Sequence, residues 1–282
     1  MTLKRLYNRN HWDLEKLITI NMRLTAEEIQ QNWLRLMGFI EDHISEPRKT
    51  NLINFYEKFS ERLILMPAAH KKEYHNAFPG GYVDHVNRVI TCALHLHELW
   101  AKMGADTTTY TKEELVFSAL NHDLGKMGDE NHEAYIPQDD KWRKEKLGED
   151  YKFNDKLAFA SVPDRSLFLL QLNSITYTFN EMITIQTHDG LYDKANEKYL
   201  MTYMPELKPR TSLPYIVHQA DLMAARIEFE TEWLPKFQGN LETPKKSFTL
   251  ESKKSAPQTL ASKSKALGSL KNEGLKNLLD NL

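Results

Sequence analysis

Apolar residues recur along most of this chain at the three-to-four spacing of a buried helical face. Thr25-Ala-Glu-Glu28 has the form of a capping box, in which a threonine hydroxyl and a glutamate satisfy each other's backbone N–H groups. Ile29, Trp33, Leu34, Leu36, Met37 and Ile40 follow it at helical spacing. A second helix is expected from about Asn51 to Leu65, with Leu52, Phe55, Phe59 and Leu63 on one face and Pro67 beyond its end. A long helix should begin after Gly81 and run towards Met103, through Val83, Val86, Ile90, Ala93, Leu94, His97 and Trp100, with Gly104 as its stop. Thr111-Lys-Glu-Glu114 is another capping box, and the helix it opens runs through Leu115, Phe117, Ala119 and Leu120 into His122-Asp123. Further helices are expected from Pro163, over Phe179 to His188, and over Leu213 to Trp233. Residues 128–160 are polar and densely charged and read as an irregular insertion, a loop or lid. There is neither an internal repeat nor a strong strand-type alternation, so the expected class is all-α.

Composition sharpens this. The 282 residues are 41% hydrophobic and 27% charged, enough apolar material for a core and too much for a wholly disordered chain. A net charge of −2 argues against a basic nucleic-acid coat. A single cysteine, Cys92, excludes an internal disulfide framework and fits a reducing compartment. Charges interrupt the first ten residues, so no signal peptide is expected, and no window approaches the length of a membrane span. The expectation is a soluble, cytoplasmic protein with no membrane partner. The character changes after Gly239. Residues 240–282 hold eight lysines and four acidic residues, a local +4 against −6 for the rest. Their Pro, Ser and Thr content predicts a flexible tail. Leu267, Leu270, Leu275, Leu278, Leu279 and Leu282 near its end could form a short helix that docks a protein partner, or a weak helix with no such role.

Candidate chemistry clusters at four places. His122-Asp123 falls where a well-patterned helix ends, and Gly125 lets the chain turn back so that Lys126 approaches the same point. A carboxylate, an imidazole and an ammonium together suit a metal ion with a bound phosphate. Upstream lies His75-Asn-Ala-Phe-Pro-Gly-Gly-Tyr-Val-Asp-His85, with His85 in the first turn of the long helix. In Val217-His218-Gln-Ala-Asp221, the aspartate sits on an apolar helical face and needs a partner, for which a metal would serve; His218 shares that face. The fourth is Gln186-Thr-His188-Asp-Gly-Leu-Tyr-Asp193 at a helix end.

Taken together, these segments resemble the HD-domain superfamily of metal-dependent phosphohydrolases, whose minimal pattern is His, then His-Asp, then Asp on separate helices of an all-α bundle. Pro67-Ala-Ala, the His75–Gly81 segment, Arg165-Ser-Leu-Phe-Leu-Leu and Ile-Gln-Thr-His188-Asp-Gly-Leu-Tyr-Asp are similar to stretches of the HD domains of certain bacterial 3′–5′ exoribonuclease-like hydrolases. The resemblance covers about residues 50 to 235. It divides the chain into a helical N-terminal extension (1–50), an HD domain (51–239) and the tail (240–282). It implies a metal held by His85, His122, Asp123 and Asp221, with His188 and His218 as additional donors. It also implies catalytic roles for Asp123, Lys126 and His188, and substrate contacts from Lys126, Arg165, His75 and Arg226. Each has a plainer alternative: His188 as a helix cap, His75 packed on Phe78, and the two arginines solvated or salt-bridged. Relatives often carry a histidine shortly before the Arg-Ser-Leu helix, whereas Ala160–Arg165 has none. One firmly bound divalent ion per chain is therefore expected, with Mn, Mg, Fe, Co, Ni and Zn all compatible with His and Asp ligands.

The implied activity is hydrolysis of a nucleotide or nucleic-acid phosphate ester by a metal-activated water. The substrate would be either a single strand, cut from its 3′ end, or a small nucleotide. An HD-type di-iron oxygenase and a catalytically inactive binding protein are the other readings.

Overall fold

The computed structural model describes residues 24–71, 74–232 and 234. The expected all-α class is what is found. Helices α1 (Ala26–His43), α2 (Arg48–Lys58), α3 (Ser60–Leu65), α4 (Gly81–Lys102) and α5 (Lys112–Asn121) form the first half. A 3-10 turn over Leu124–Met127 leads to a small hairpin, β1 (Tyr135–Pro137) and β2 (Tyr151–Phe153), with α6 (Lys141–Leu147) between its strands. Helices α7 (Val162–Leu172), α8 (Phe179–Thr187), the short α9 (Glu197–Leu200) and α10 (Leu213–Glu232) complete the described chain. The centre of the bundle is α4 packed along α10, with α5 and α1 against α4 and α8 against α10 and α5. Among the described residues, no helix is long and apolar enough to cross a membrane.

Local chemistry sets the helix ends. The capping boxes expected at Thr25/Glu28 and Thr111/Glu114 are both formed, and a third closes at Thr178/Glu181. The helix expected over Asn51–Leu65 is two helices broken at Phe59, where the Ser60 hydroxyl donates to Glu57 O at 2.8 Å and competes with the helical ladder. At the start of α4, a Cβ on Gly81 would lie 2.1 Å from Asn76 O, so only glycine admits the loop this close. Asn76 Nδ2 then donates to Asp84 Oδ2 at 2.9 Å, tying that loop to the helix.

The 128–160 segment is more ordered than its composition suggests. Its antiparallel pairing sets Tyr135 opposite Phe153, and Tyr151 is wholly buried. Strands of three residues are too short to show a period of two in sequence. The tail from 240 lies outside the described residues.

The helix of the 1–50 segment is built into the common core. Trp33, Leu36 and Ile40 are buried with the α4 and α5 residues Val86, Ile90, Leu115 and Phe117. The Trp33 ring sits 6.3 Å from that of Tyr56, whose hydroxyl donates to Asn121 Oδ1 at 3.2 Å, one residue before His122. The N-terminal helix thus supports the end of α5. Replacing Trp33, 1% exposed, with alanine should cost about 3–5 kcal/mol in denaturant unfolding. A cost below about 1 kcal/mol would mean that α1 is only loosely attached.

Candidate metal centre

Five segments converge at one end of the α4–α10 pair. His85 lies in the second turn of α4, His122 caps α5, and Asp123 follows it into the 3-10 turn that returns Lys126. His188 caps α8, and Asp221 lies on α10. His122 and His188 occupy equivalent places, each followed by aspartate at the close of a helix. The C-terminal ends of α5 and α8 carry the negative pole of the helix dipole, which favours a cation there.

The ring nitrogens are sorted. His122 Nδ1 lies 2.8 Å from Ala119 O, His188 Nδ1 2.7 Å from Ile185 O, and His218 Nδ1 2.7 Å from His188 O. A carbonyl only accepts, so each Nδ1 carries the hydrogen, and in the neutral ring Nε2 keeps its lone pair. His85 reaches the same state through a carboxylate, with Nδ1 at 3.1 Å from Glu228 Oε1. The freed nitrogens meet the two aspartates. His85 Nε2 is 3.1 Å from Asp221 Oδ1 and 3.7 Å from Asp123 Oδ2; His122 Nε2 is 3.3 Å from Asp123 Oδ2 and 3.8 Å from Asp221 Oδ1; His188 Nε2 is 3.5 Å from Asp123 Oδ1. Despite this proximity, the buried Nε2 atoms of His75, His85 and His122 make no hydrogen bond. Buried polar atoms are rarely left so, and a divalent ion held by His85, His122 and Asp221, or by His75, His85 and Asp123, would satisfy two of them at a time. The donors form overlapping groups that share Asp123 and Asp221: His75 with His85 and Asp123, His85 with His122 and Asp221, His122 with Asp123 and His188, and His188 with Asp189 and Asp221.

The charges are strongly coupled. Burial opposes ionisation of Asp123, but Lys126 and His122 outweigh it and hold this carboxyl well below the usual range. Lys126 Nζ is 2.5 Å from Asp123 Oδ2 and, although burial opposes its charge, its pKa is raised by that carboxylate. Asp221 is likewise held low against burial, by His85 first. Burial would lower His85, yet Glu228 and Asp221 bring it up to about 10. For His188, Asp189 and Asp123 overcome burial and raise it to about 9. His75, desolvated and next to His85, falls well below 6.5 and stays neutral.

The residues expected from sequence divide accordingly. His85, His122, Asp123, Asp221, His188 and Lys126 come together. His75 joins them, its ring 4.4 Å from that of His85, rather than serving only to pack on Phe78. His218 borders the cavity, its ring against Gly190, where φ is +57° and a Cβ would lie 2.1 Å from the imidazole. Arg165 does not reach the cluster: it donates to Gly125 O at 3.3 Å and Ala158 O at 2.8 Å, bracing the turn from behind. Arg226 pairs with Glu230 at 2.9 Å on the exposed face of α10.

Sequence reasoning overlooked Glu228 and Ser166, and gave Asp189 no role of its own although it lies in the His188 segment. Glu228 is 1% exposed and is also 3.2 Å from Arg88 Nε. It stands seven residues after Asp221, two turns along the same face, which is a legible signal. Ser166 Oγ accepts from Gly125 N at 2.7 Å and donates towards His122 O at 3.2 Å, locking the His-Asp turn to α7. Comparison with known protein families, with curated proteins and with solved structures finds no match for this chain.

Two outcomes follow from this geometry. Glu228→Gln leaves every donor in place but removes the charge behind His85, and should weaken metal binding about 10–100-fold in a competition titration. Unaltered affinity would make Glu228 a packing residue. For pH, both His85 and His188 lie above the ordinary 6.5. Their stabilisation is complete below 6.5 and is lost as pH rises through about 9 to about 10. Chelated protein should therefore lose stability to denaturant over that interval, and added divalent metal should flatten the slope by replacing the protons. A flat curve without metal would contradict the raised values.

Proposed function

We propose that this chain is a metal-dependent phosphohydrolase. The observation behind the proposal is that the buried Nε2 atoms of His85 and His122, which make no hydrogen bond, face Asp123 and Asp221 beside the buried ammonium of Lys126. These four donors would hold one divalent ion, with His188 and His75 placed to add to the set. When bound, such an ion supplies a Lewis acid for a phosphoryl oxygen and a water of lowered pKa.

The chain's own groups account for the rest. Lys126 stays cationic because Asp123 raises its pKa, and its ammonium lines the cavity, where it can bind a phosphate oxygen and offset charge gathering there in the transition state. Asp123, kept ionised by Lys126 and His122, orients a water through the oxygen it does not share with Lys126. Where it is not a metal donor, His188 faces Asp123 and Asp189 and, once protonated, can hand a proton from Nε2 to the leaving oxygen. Glu228 and the carbonyls of Ala119 and Ile185 keep the imidazoles from rotating.

Protein purified without chelators should contain at least one divalent metal per chain and release phosphate from generic phosphate mono- or diesters. The double variant His122→Ala, Asp123→Ala should lose both metal and turnover while keeping its helical circular dichroism. Unchanged hydrolysis in that folded variant would overturn the proposal. Two irons with oxygen consumption and no phosphate release would point to the oxygenase reading. No metal and no turnover after adding manganese would point to the binding protein.

A further inference from the structure

A cavity of ≈ 470 Å³ opens from the metal centre, within the roughly 300–1,000 Å³ usual for small-molecule sites. At one end it is lined by His75, Lys126, Asp189 and Asp221. The rest of its wall is largely aromatic: His70, Tyr74, Tyr135, Phe153, Tyr192 and Phe229. The hairpin inserted between α5 and α7 contributes Tyr135 and Phe153 to that wall. The Tyr135 and Phe153 rings, paired across β1 and β2, lie 5.3 Å apart, and the His70 ring is 4.5 Å from Phe153 and 5.9 Å from Tyr135. Tyr135 borders both regions, close enough to Lys126 for each to shift the other's ionisation.

Three of these rings are left largely in water. Phe153 is 62% exposed, Tyr192 84% and Tyr74 51%. A group of rings at the mouth of a cavity, rather than scattered over the surface, marks a contact site. Rings on the wall of a cavity whose other end carries Lys126 and the candidate metal ligands suit a ligand that is charged at one end and flat and aromatic at the other.

We propose that the hairpin and the adjoining rings form a stacking subsite for the nucleobase of a single nucleotide, whose phosphate reaches Lys126 and the metal ligands. This rests on the phosphohydrolase reading for the phosphate end alone; the stacking end stands on the cavity wall. Stacking on aromatic side chains tolerates any base, so the subsite selects nucleotides over sugar phosphates without selecting a sequence.

The test uses full-length, manganese-loaded protein and two probes that resist hydrolysis, the methylene phosphonate analogues of AMP and of ribose 5-phosphate, measured by calorimetry. The AMP analogue should bind roughly ten- to hundredfold more tightly. Phe153→Ala and, separately, Tyr192→Ala should each erode that preference while leaving the ribose analogue's affinity unchanged, which also reports that the variants fold. Equal affinity of the two analogues for the wild-type protein would overturn the subsite, even if phosphate esters are hydrolysed. A Phe153-dependent preference in a protein that hydrolyses no ester would uphold the subsite and sink the hydrolase. An oligo-dA strand that displaces the AMP analogue with the same Phe153 dependence would identify a strand end as the natural source of the nucleotide; failure to displace it would identify the free nucleotide.

Discussion

An imidazole offers a lone pair in a chosen direction only when its other nitrogen is occupied. Here the occupation comes from the backbone and one carboxylate: Ala119 O, Ile185 O, His188 O and Glu228. Two of the acceptors are carbonyls in the last turns of α5 and α8, where the helical ladder runs out of donors. A histidine that closes a helix can take such a carbonyl itself, which turns its far nitrogen away from the helix and into the bundle. The centre therefore follows from where these two helices stop, and whatever fixes their ends fixes the centre.

Much of the remaining structure serves those ends. Tyr56 holds Asn121 from the α1 side, Ser166 holds Gly125 and His122 from the α7 side, and Arg165 grips the carbonyls behind the turn. On the far side, Arg88 and Asp84 carry the support of Glu228 back to Asn76 and the loop that delivers His75. Burying two carboxylates and an ammonium among apolar helices is costly unless each has a partner. Asp123 and Asp221 lie among imidazoles and beside Lys126, an arrangement with an excess of donors directed at a cation.

How much of this could be read in advance depended on the length over which a pattern persists. The helices of the bundle were legible because their apolar faces repeat over several turns and their capping boxes are local. His85, His122, Asp123 and Asp221 stood out because three of them border glycine turns or helix ends and the fourth is acidic on an apolar face. The hairpin was not legible, since Tyr135–Pro137 and Tyr151–Phe153 are too short to alternate and are surrounded by charge. Neither was the fate of Arg165, because a guanidinium spent on carbonyl oxygens looks in sequence like one free to bind phosphate. His70 belongs to none of the segments singled out in the sequence, yet it lines the cavity, where its ring meets that of Phe153 and brings together residues more than eighty positions apart.

The hairpin makes no contribution to the ligand set. The donors sit on α4, α5, α8 and α10 and on the loop before α4, all anchored in the common core, whereas Tyr135 and Phe153 belong to an excursion between α5 and α7. In the proposed enzyme, chemistry and choice of ligand are thus written in different stretches of polypeptide. Substitutions, or even a change of length, in the excursion can recast the cavity wall while the ligand geometry is conserved by its own supports. A lineage built on this plan can diverge in what it accepts without passing through an inert ancestor.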